Sequence, residues 1–164
     1  MYDFNPEKDI EFTRIIQARP DTVWRCWTEP ELLMQWFCPL PWKVTRATLD
    51  LRPGGRFYTR FEGPNGEGPD NDICQMDNEG CYLDVEPGKR LVFTDALSEG
   101  WRPNAKTFMT AIVTFTPSGD GATEYRALVL HSDAAMRAKH IEMGFHDGWG
   151  AAADQLNALA QSLQ

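Results

Sequence analysis

The sequence predicts an α+β fold in which an antiparallel sheet packs against one long C-terminal helix. Two observations predict it. Strand-like segments follow one another with short turn signals between them, and about the last thirty residues carry one apolar stripe at helical spacing. The 164 residues contain no internal repeat, low-complexity tract or long linker, so we expect a single domain over 1–164.

The composition excludes several classes of protein. Acidic residues number 24 and basic residues 16, and the net charge of −8 argues against a nucleic-acid partner. With 42% hydrophobic and 24% charged residues, the chain resembles an ordinary globular protein. No apolar run has the length of a membrane span, and the first twenty residues lack the apolar core of a signal peptide. We therefore expect a cytoplasmic protein without membrane insertion.

The chain opens with a predicted strand and a first short helix. Residues 9–17 are rich in β-branched and aromatic types, which favour a strand. In the following RPDTVWRCW, Pro20 suits the first turn of a helix and Asp21 suits its positive end.

A second short helix is predicted directly after the first. Thr28 and Glu31 have the spacing of a capping box, with Pro30 inside the new first turn. The segment ELLMQWF continues this helix. Pro39 and Pro41 end it, because neither can extend a helix.

The middle of the chain reads as consecutive hairpins. Pro and Gly within 52–55 match a type II turn between KVTRATLDL and RFYTRF. A long polar loop is predicted over 62–72, followed by strands over 73–86 and 90–95.

Two further strands complete an antiparallel meander. Residues 107–116 alternate between apolar and polar side chains, which is typical of a strand with one buried face. A turn at 118–121 then leads into the strand TEYRALVLH.

The C-terminal segment predicts a single helix of about seven turns, with Asp133 as its N-cap. Its apolar stripe consists of Ala138, Ile141, Phe145, Trp149, Ala152, Leu156, Leu159 and Leu163. Gly144, Gly148 and Gly150 interrupt the pattern. They are explained either by close packing against a strand or by room for something beneath the helix.

Four stretches together resemble a known family: RPDTVWRCWTEPELLMQWFCP, DLRPGGRF, GCYLDVEPGKRLVFT and GFHDGWGAAADQLNAL. They are similar to motifs of the activator of heat-shock protein 90 ATPase homologues, within the START-like, polyketide-cyclase-like (SRPBCC) superfamily. The resemblance covers roughly 9–162. It implies a helix-grip fold, as in START-like and birch-pollen-allergen-like proteins: a curved antiparallel sheet around a long C-terminal helix, with two short helices after the first strand.

The resemblance also implies a cavity between sheet and helix that holds an apolar ligand. The candidate lining residues are Trp24, Trp27, Trp36, Phe57, Tyr82, Phe93, Phe108, Met143, Phe145 and Trp149. For each of them, plain core packing is the alternative. Trp101 lies in a polar loop, where an exposed indole is unfavourable, so it caps the cavity mouth, contacts a partner protein or packs on the fold.

His131 follows the last strand and is a candidate acid or base within the cavity, the alternative being a hinge residue that is solvated or has its hydrogen bonds satisfied. His140 and His146 are six residues apart, so they do not form a zinc helix, and we expect neither a metal nor a cofactor. The four cysteines lack any CxxC pair and are expected to be reduced.

These features lead to three hypotheses about function. The first is binding of a small apolar or aromatic molecule without defined catalysis. The second is a co-chaperone-like module that stimulates a heat-shock protein 90 ATPase, as the family name implies. The third is a cyclase-like or hydrolase-like enzyme that uses the same cavity. The oligomeric state stays open between monomer and homodimer.

Overall fold

A computed structural model describes residues 2–65 and 72–164 of the chain. The strands are β1 (Ile10–Ile16), β2 (Lys43–Leu49), β3 (Arg56–Pro64), β4 (Ile73–Glu86), β5 (Arg90–Thr94), β6 (Leu97–Ser98), β7 (Arg102–Pro103), β8 (Thr110–Ser118) and β9 (Ala122–Leu130). The helices are α1 (Pro20–Thr28), α2 (Pro30–Leu33), α3 (Ala134–Glu142) and α4 (Phe145–Ser162).

Seven of these strands form one antiparallel sheet in the order β1-β9-β8-β5-β4-β3-β2. Hairpins join β2 to β3, β3 to β4 and β4 to β5, and another joins β8 to β9. The strands β6 and β7 form a separate small ribbon. Helices α1 and α4 pack on the sheet, which confirms the predicted helix-grip fold.

The turn between β2 and β3 is the type II turn that the sequence predicts. Gly54 has a φ of 81°, and the Gly55 amide donates to the Arg52 carbonyl over 2.8 Å. A Cβ at Gly55 would lie 2.0 Å from the Asp50 carbonyl oxygen. Both glycines are therefore required by the backbone of this turn.

The apolar stripe of α4 lies on the inner face of the sheet. Phe145, Ala153, Leu156 and Ala160 are all buried, and Trp149 packs beside them. Burying one side chain of the size of Leu contributes about 2 kcal/mol to folding. Packing on the sheet therefore stabilises a helix that would be unstable alone.

The prediction of one continuous C-terminal helix is wrong. The helix breaks at Gly144, whose φ of 94° is left-handed and cannot continue α3. Asp133 caps α3 as predicted, accepting a hydrogen bond from the Met136 amide over 2.8 Å. Because the break changes the helical phase, Ala138 is exposed although it belongs to the predicted stripe.

The predicted capping box at Thr28 is also wrong. Its hydroxyl donates to the Trp24 carbonyl within α1 over 2.8 Å, and Glu29 occupies the N-cap of α2. Helix α2 is a single turn that ends at Leu33, well before Pro39.

The predicted loop over 62–72 begins later than expected, because β3 continues to Pro64, which pairs with Ile73. Residues 66–71 lie outside the described part of the chain. Within the described residues, no helix combines the length and the hydropathy of a membrane span.

Replacing Gly144 by Ala should lower the free energy of unfolding by about 1 kcal/mol, since an L side chain would be forced to a positive φ. A Cβ at Gly144 would have no atom within 4 Å, so the variant tests backbone strain rather than a steric clash. Gly148→Ala is the matched control within α4, and it should raise stability by up to about 1 kcal/mol. Urea unfolding measures the free energy of unfolding of both variants. Equal stabilisation by the two substitutions would contradict the helix break.

Candidate functional site

A cavity of about 500 Å³ lies between the sheet and α4. Strands β3, β4 and β5 line one side, α4 lines the other, and the chain after α2 closes one end. The lining is mainly apolar. Met143 and Met76 also line the cavity and are 66% and 50% exposed, so its mouth lies between the α3–α4 break and β4.

Eight of the twelve candidate residues line this cavity: Trp27, Trp36, Phe57, Phe93, Phe108, Met143, Phe145 and Trp149. The other four do not: Trp24, Tyr82, Trp101 and His131.

Trp24 and Tyr82 belong to the packed core rather than to the cavity wall. The Trp24 ring meets Phe115 edge-on, with the ring centres 5.6 Å apart. Tyr82 is fully buried behind Phe57, whose ring centre lies 5.0 Å away. Aromatic type alone could not separate these residues from the cavity lining, because packed rings and lining rings have the same sequence signature.

Trp101 packs on the β2–β3 turn and does not cap the cavity mouth. A Cβ at Gly54 would lie 2.7 Å from the Trp101 ring, and the Gly100 amide donates to the Gly54 carbonyl over 2.9 Å. Half of the Trp101 side chain nevertheless stays exposed. Of the three roles that the sequence left open, Trp101 packs on the fold and lies outside the cavity lining, and a contact with a partner protein stays a prediction.

Trp27 forms the floor of the cavity. Its ring centre lies 5.1 Å from Trp36, 5.3 Å from Phe37 and 5.8 Å from Phe93. Trp36 is held by a hydrogen bond of 2.9 Å from its indole N–H to the Cys26 carbonyl. This aromatic cluster ties α1 to the sheet and gives the cavity a rigid end.

Gln155 of α4 fixes the chain that closes the cavity. Its amide nitrogen donates to the Trp36 and Cys38 carbonyls over 3.0 and 2.8 Å. Its carbonyl accepts from the Leu40 amide over 3.1 Å. These hydrogen bonds pair backbone polar groups of a segment that has no regular secondary structure, and they hold that segment against α4.

Three lining residues of β3 follow from simple alternation. Phe57, Thr59 and Phe61 are two positions apart, so they point to the same face of the strand. Of these three residues, only Phe57 was predicted to line the cavity. Extending the alternation by two steps would have found Thr59 and Phe61 as well.

The polar groups of the lining are mostly paired with one another. Asn78 donates to the Thr59 hydroxyl over 3.3 Å. The Asp95 carboxylate accepts from the backbone amides of Phe108 and Met109 over 2.7 and 3.1 Å. Asp95 thereby positions the Phe108 ring on the cavity wall.

Two histidines meet at the cavity wall. His140 lines the cavity, and its Nδ1 lies 2.9 Å from Nε2 of His131. His131 lies behind it, with its Nδ1 2.9 Å from the Lys8 carbonyl oxygen. The candidate His131 is therefore a neighbour of the lining residue. His140 was missed because its inward position depends on the break at Gly144.

Burial changes the acid–base properties of the lining. Desolvation, with a smaller contribution from His131, lowers the pKa of His140 to about 4. Burial also raises the pKa of the Cys38 thiol to about 11, so that this thiol stays protonated at neutral pH. The pKa of the Tyr125 phenol is likewise raised by burial.

All four cysteines are free thiols, and Cys74 is the least buried of them. Within the described ranges, no three His, Cys, Asp or Glu side chains are grouped to hold a metal ion.

The family model for Activator of Hsp90 ATPase homolog 1-like protein matches residues 17–161. No curated protein matches the chain. Among solved structures, the chain is 39% identical to a protein from Nitrosomonas europaea, with 97% of each chain covered and a TM-score of 0.87.

Two more distant structures have the same fold. One is a protein from Mycobacterium smegmatis with 25% identity, a TM-score of 0.75, and coverage of 93% of this chain and 90% of that one. The other is an AHSA1-like protein from Aeromonas hydrophila with 19% identity, 94% of each chain covered and a TM-score of 0.62.

The buried His140 predicts acid sensitivity. In the unfolded chain its imidazole binds a proton near pH 6.5, whereas in the folded protein it does so only near pH 4. Stability should therefore fall by about 3 kcal/mol as the pH drops from about 6.5 to about 4.

Urea unfolding across this pH range measures the effect. His140→Phe should remove most of this pH dependence. The exposed His146 provides the matched control, and His146→Phe should leave it intact. Identical pH profiles for the wild type and His140→Phe would contradict the assignment.

Proposed function

The chain belongs to the family of Activator of Hsp90 ATPase homolog 1-like proteins, and from its cavity we propose that it binds a small hydrophobic or aromatic molecule between the sheet and α4. The observation that carries this proposal is a mainly apolar cavity of about 500 Å³ between the sheet and α4.

The size of the cavity supports a ligand because protein interiors are normally close-packed. Cavity walls make fewer dispersion contacts than close-packed side chains do, and a bound molecule supplies such contacts. Cavities for small molecules in proteins have volumes of roughly 300–1,000 Å³. The volume here, about 500 Å³, falls within that interval.

The shape of the walls supports a ligand with flat rings. Phe57 and Phe93 lie 4.8 Å apart at 37°, and Phe145 stacks on Trp149 at 5.3 Å. These ring pairs stand on opposite elements, the sheet and α4. An aromatic guest can contact both ring faces and ring edges, which are the arrangements that aromatic pairs prefer.

The mouth of the cavity supports entry of an apolar molecule. Met143 and Met76 are unbranched and flexible, and each keeps at least half of its side chain in solvent. Flexible methionine side chains at the mouth of the cavity adapt to ligands of different shape. Gly148 widens the space beside them, since a Cβ there would meet only Pro39, at 3.9 Å.

Binding is tested by titrating the labelled protein with naphthalene and following amide resonances by two-dimensional NMR. Resonances of Phe145, Gly148 and Trp149 should shift, because these residues line the cavity. Native mass spectrometry of protein purified from its own cells should show an additional bound mass. Absence of both the shifts and the bound mass would overturn the proposal.

A matched pair of variants locates the binding site. Ala152 lines the cavity, whereas its neighbour Ala151 does not. Ala152→Leu should fill part of the volume and weaken naphthalene binding by about tenfold, the equivalent of about 1.4 kcal/mol. Ala151→Leu should leave affinity unchanged, and equal effects of the two variants would contradict binding in this cavity.

A further inference from the structure

The two histidines at the cavity wall form a chain of hydrogen bonds that starts at a backbone carbonyl. The Lys8 carbonyl lies 2.9 Å from His131 Nδ1, and His131 Nε2 lies 2.9 Å from His140 Nδ1. Arg137 of α3 donates to the Asp9 carbonyl over 2.9 Å, which ties α3 to the turn that carries Lys8. The hydrogen-bonded pair of histidines is thus held at one end by the Lys8 carbonyl and at the other by α3.

This chain determines the tautomer of each neutral imidazole. A carbonyl oxygen only accepts, so His131 Nδ1 must carry the hydrogen and donate it to Lys8. His131 Nε2 then has a free lone pair and must accept from Nδ1–H of His140. The remaining nitrogen, His140 Nε2, is therefore an unprotonated acceptor.

Nothing in the described part of the chain donates to His140 Nε2. Around the ring stand Phe108 at 4.5 Å and Phe145 at 4.9 Å, and neither carries a polar group. Burial lowers the pKa of His140 to about 4, so the ring is neutral at pH 7 and keeps its lone pair. An acceptor on a cavity-lining residue that has no protein donor favours a ligand that brings one.

We infer that His140 Nε2 accepts a hydrogen bond from a hydroxyl group of the cavity's ligand, which is accordingly a phenol or another hydroxyl-bearing aromatic compound. This inference rests on the proposed function and names the class of ligand. His140 acts as a binding residue, and His131 is the positioning residue that presents its lone pair.

The charges of the lining argue for a neutral hydroxyl rather than a carboxylate. Glu79 and Asp95 both border the cavity, and no Lys or Arg is found among the described residues that line it. A ligand carboxylate would lose its hydration without gaining a cation. Fatty acids and aromatic acids are therefore disfavoured compared with phenols.

The rings around His140 argue for an aromatic ligand. The Asp95 carboxylate accepts a hydrogen bond from the Phe108 backbone amide over 2.7 Å and so holds Phe108 in place. The Phe145 ring stacks on Trp149. A ring whose hydroxyl points to His140 would lie among these three side chains. Rigid aromatic walls bind a flat guest with little loss of side-chain freedom.

The test compares three probes of the same skeleton: naphthalene, 2-naphthol and 2-methoxynaphthalene. The wild type should bind 2-naphthol about tenfold more tightly than the methyl ether, the equivalent of one well-formed hydrogen bond. His140→Phe should abolish this preference and keep naphthalene binding. His146→Phe, at an exposed position of α4, should keep the preference.

Histidine ¹⁵N resonances provide a readout that a merely structural role would not move. Without ligand, both His131 and His140 should show the Nδ1–H tautomer. Addition of 2-naphthol should shift the His140 Nε2 resonance, and 2-methoxynaphthalene should not. An Nε2–H tautomer of His140 would overturn the inference.

The outcomes separate this inference from the proposed function. If none of the three probes binds, both fail. If naphthalene binds and the hydroxyl brings no gain in the wild type, the cavity function stands and the role of His140 is refuted. Since that comparison uses the wild type alone, it decides even if His140→Phe fails to fold.

Discussion

The packing of α4 across the inner face of the sheet is the interaction on which the other features depend. Its C-terminal half carries Ala153, Leu156 and Ala160, which are buried against the rest of the core. Its N-terminal half carries the Phe145 and Trp149 rings, which border the cavity instead. One helix thus closes the core at one end and leaves an unfilled aromatic space at the other.

Much of the fold could be predicted because its signals are local. The type II turn follows from Pro53 and Gly54, and the strands β4 and β5 begin and end within one residue of the prediction. Such turns depend on backbone preferences of a few adjacent residues. The break at Gly144 is different, since glycine is tolerated in a helix and only the packed structure selects the left-handed φ.

The site was harder to predict than the fold. Its apolar residues follow from periodicity, but periodicity does not say which rings face a cavity and which face each other, as Trp24 and Tyr82 show. The pairing of His131 with His140 depends on the angle between α3 and the end of β9. The separation of nine positions between the two histidines does not determine that angle. Only the three-dimensional structure shows that the two imidazoles lie side by side.

The space between the sheet and α4 is tested most directly by a crystal structure determined under xenon pressure, because xenon enters apolar cavities and displaces no hydrogen bond. We predict xenon within the volume bordered by Phe57, Phe93 and Trp149. A structure without xenon there, in which the side chains of Met143 or Trp149 fill the space, would contradict the account.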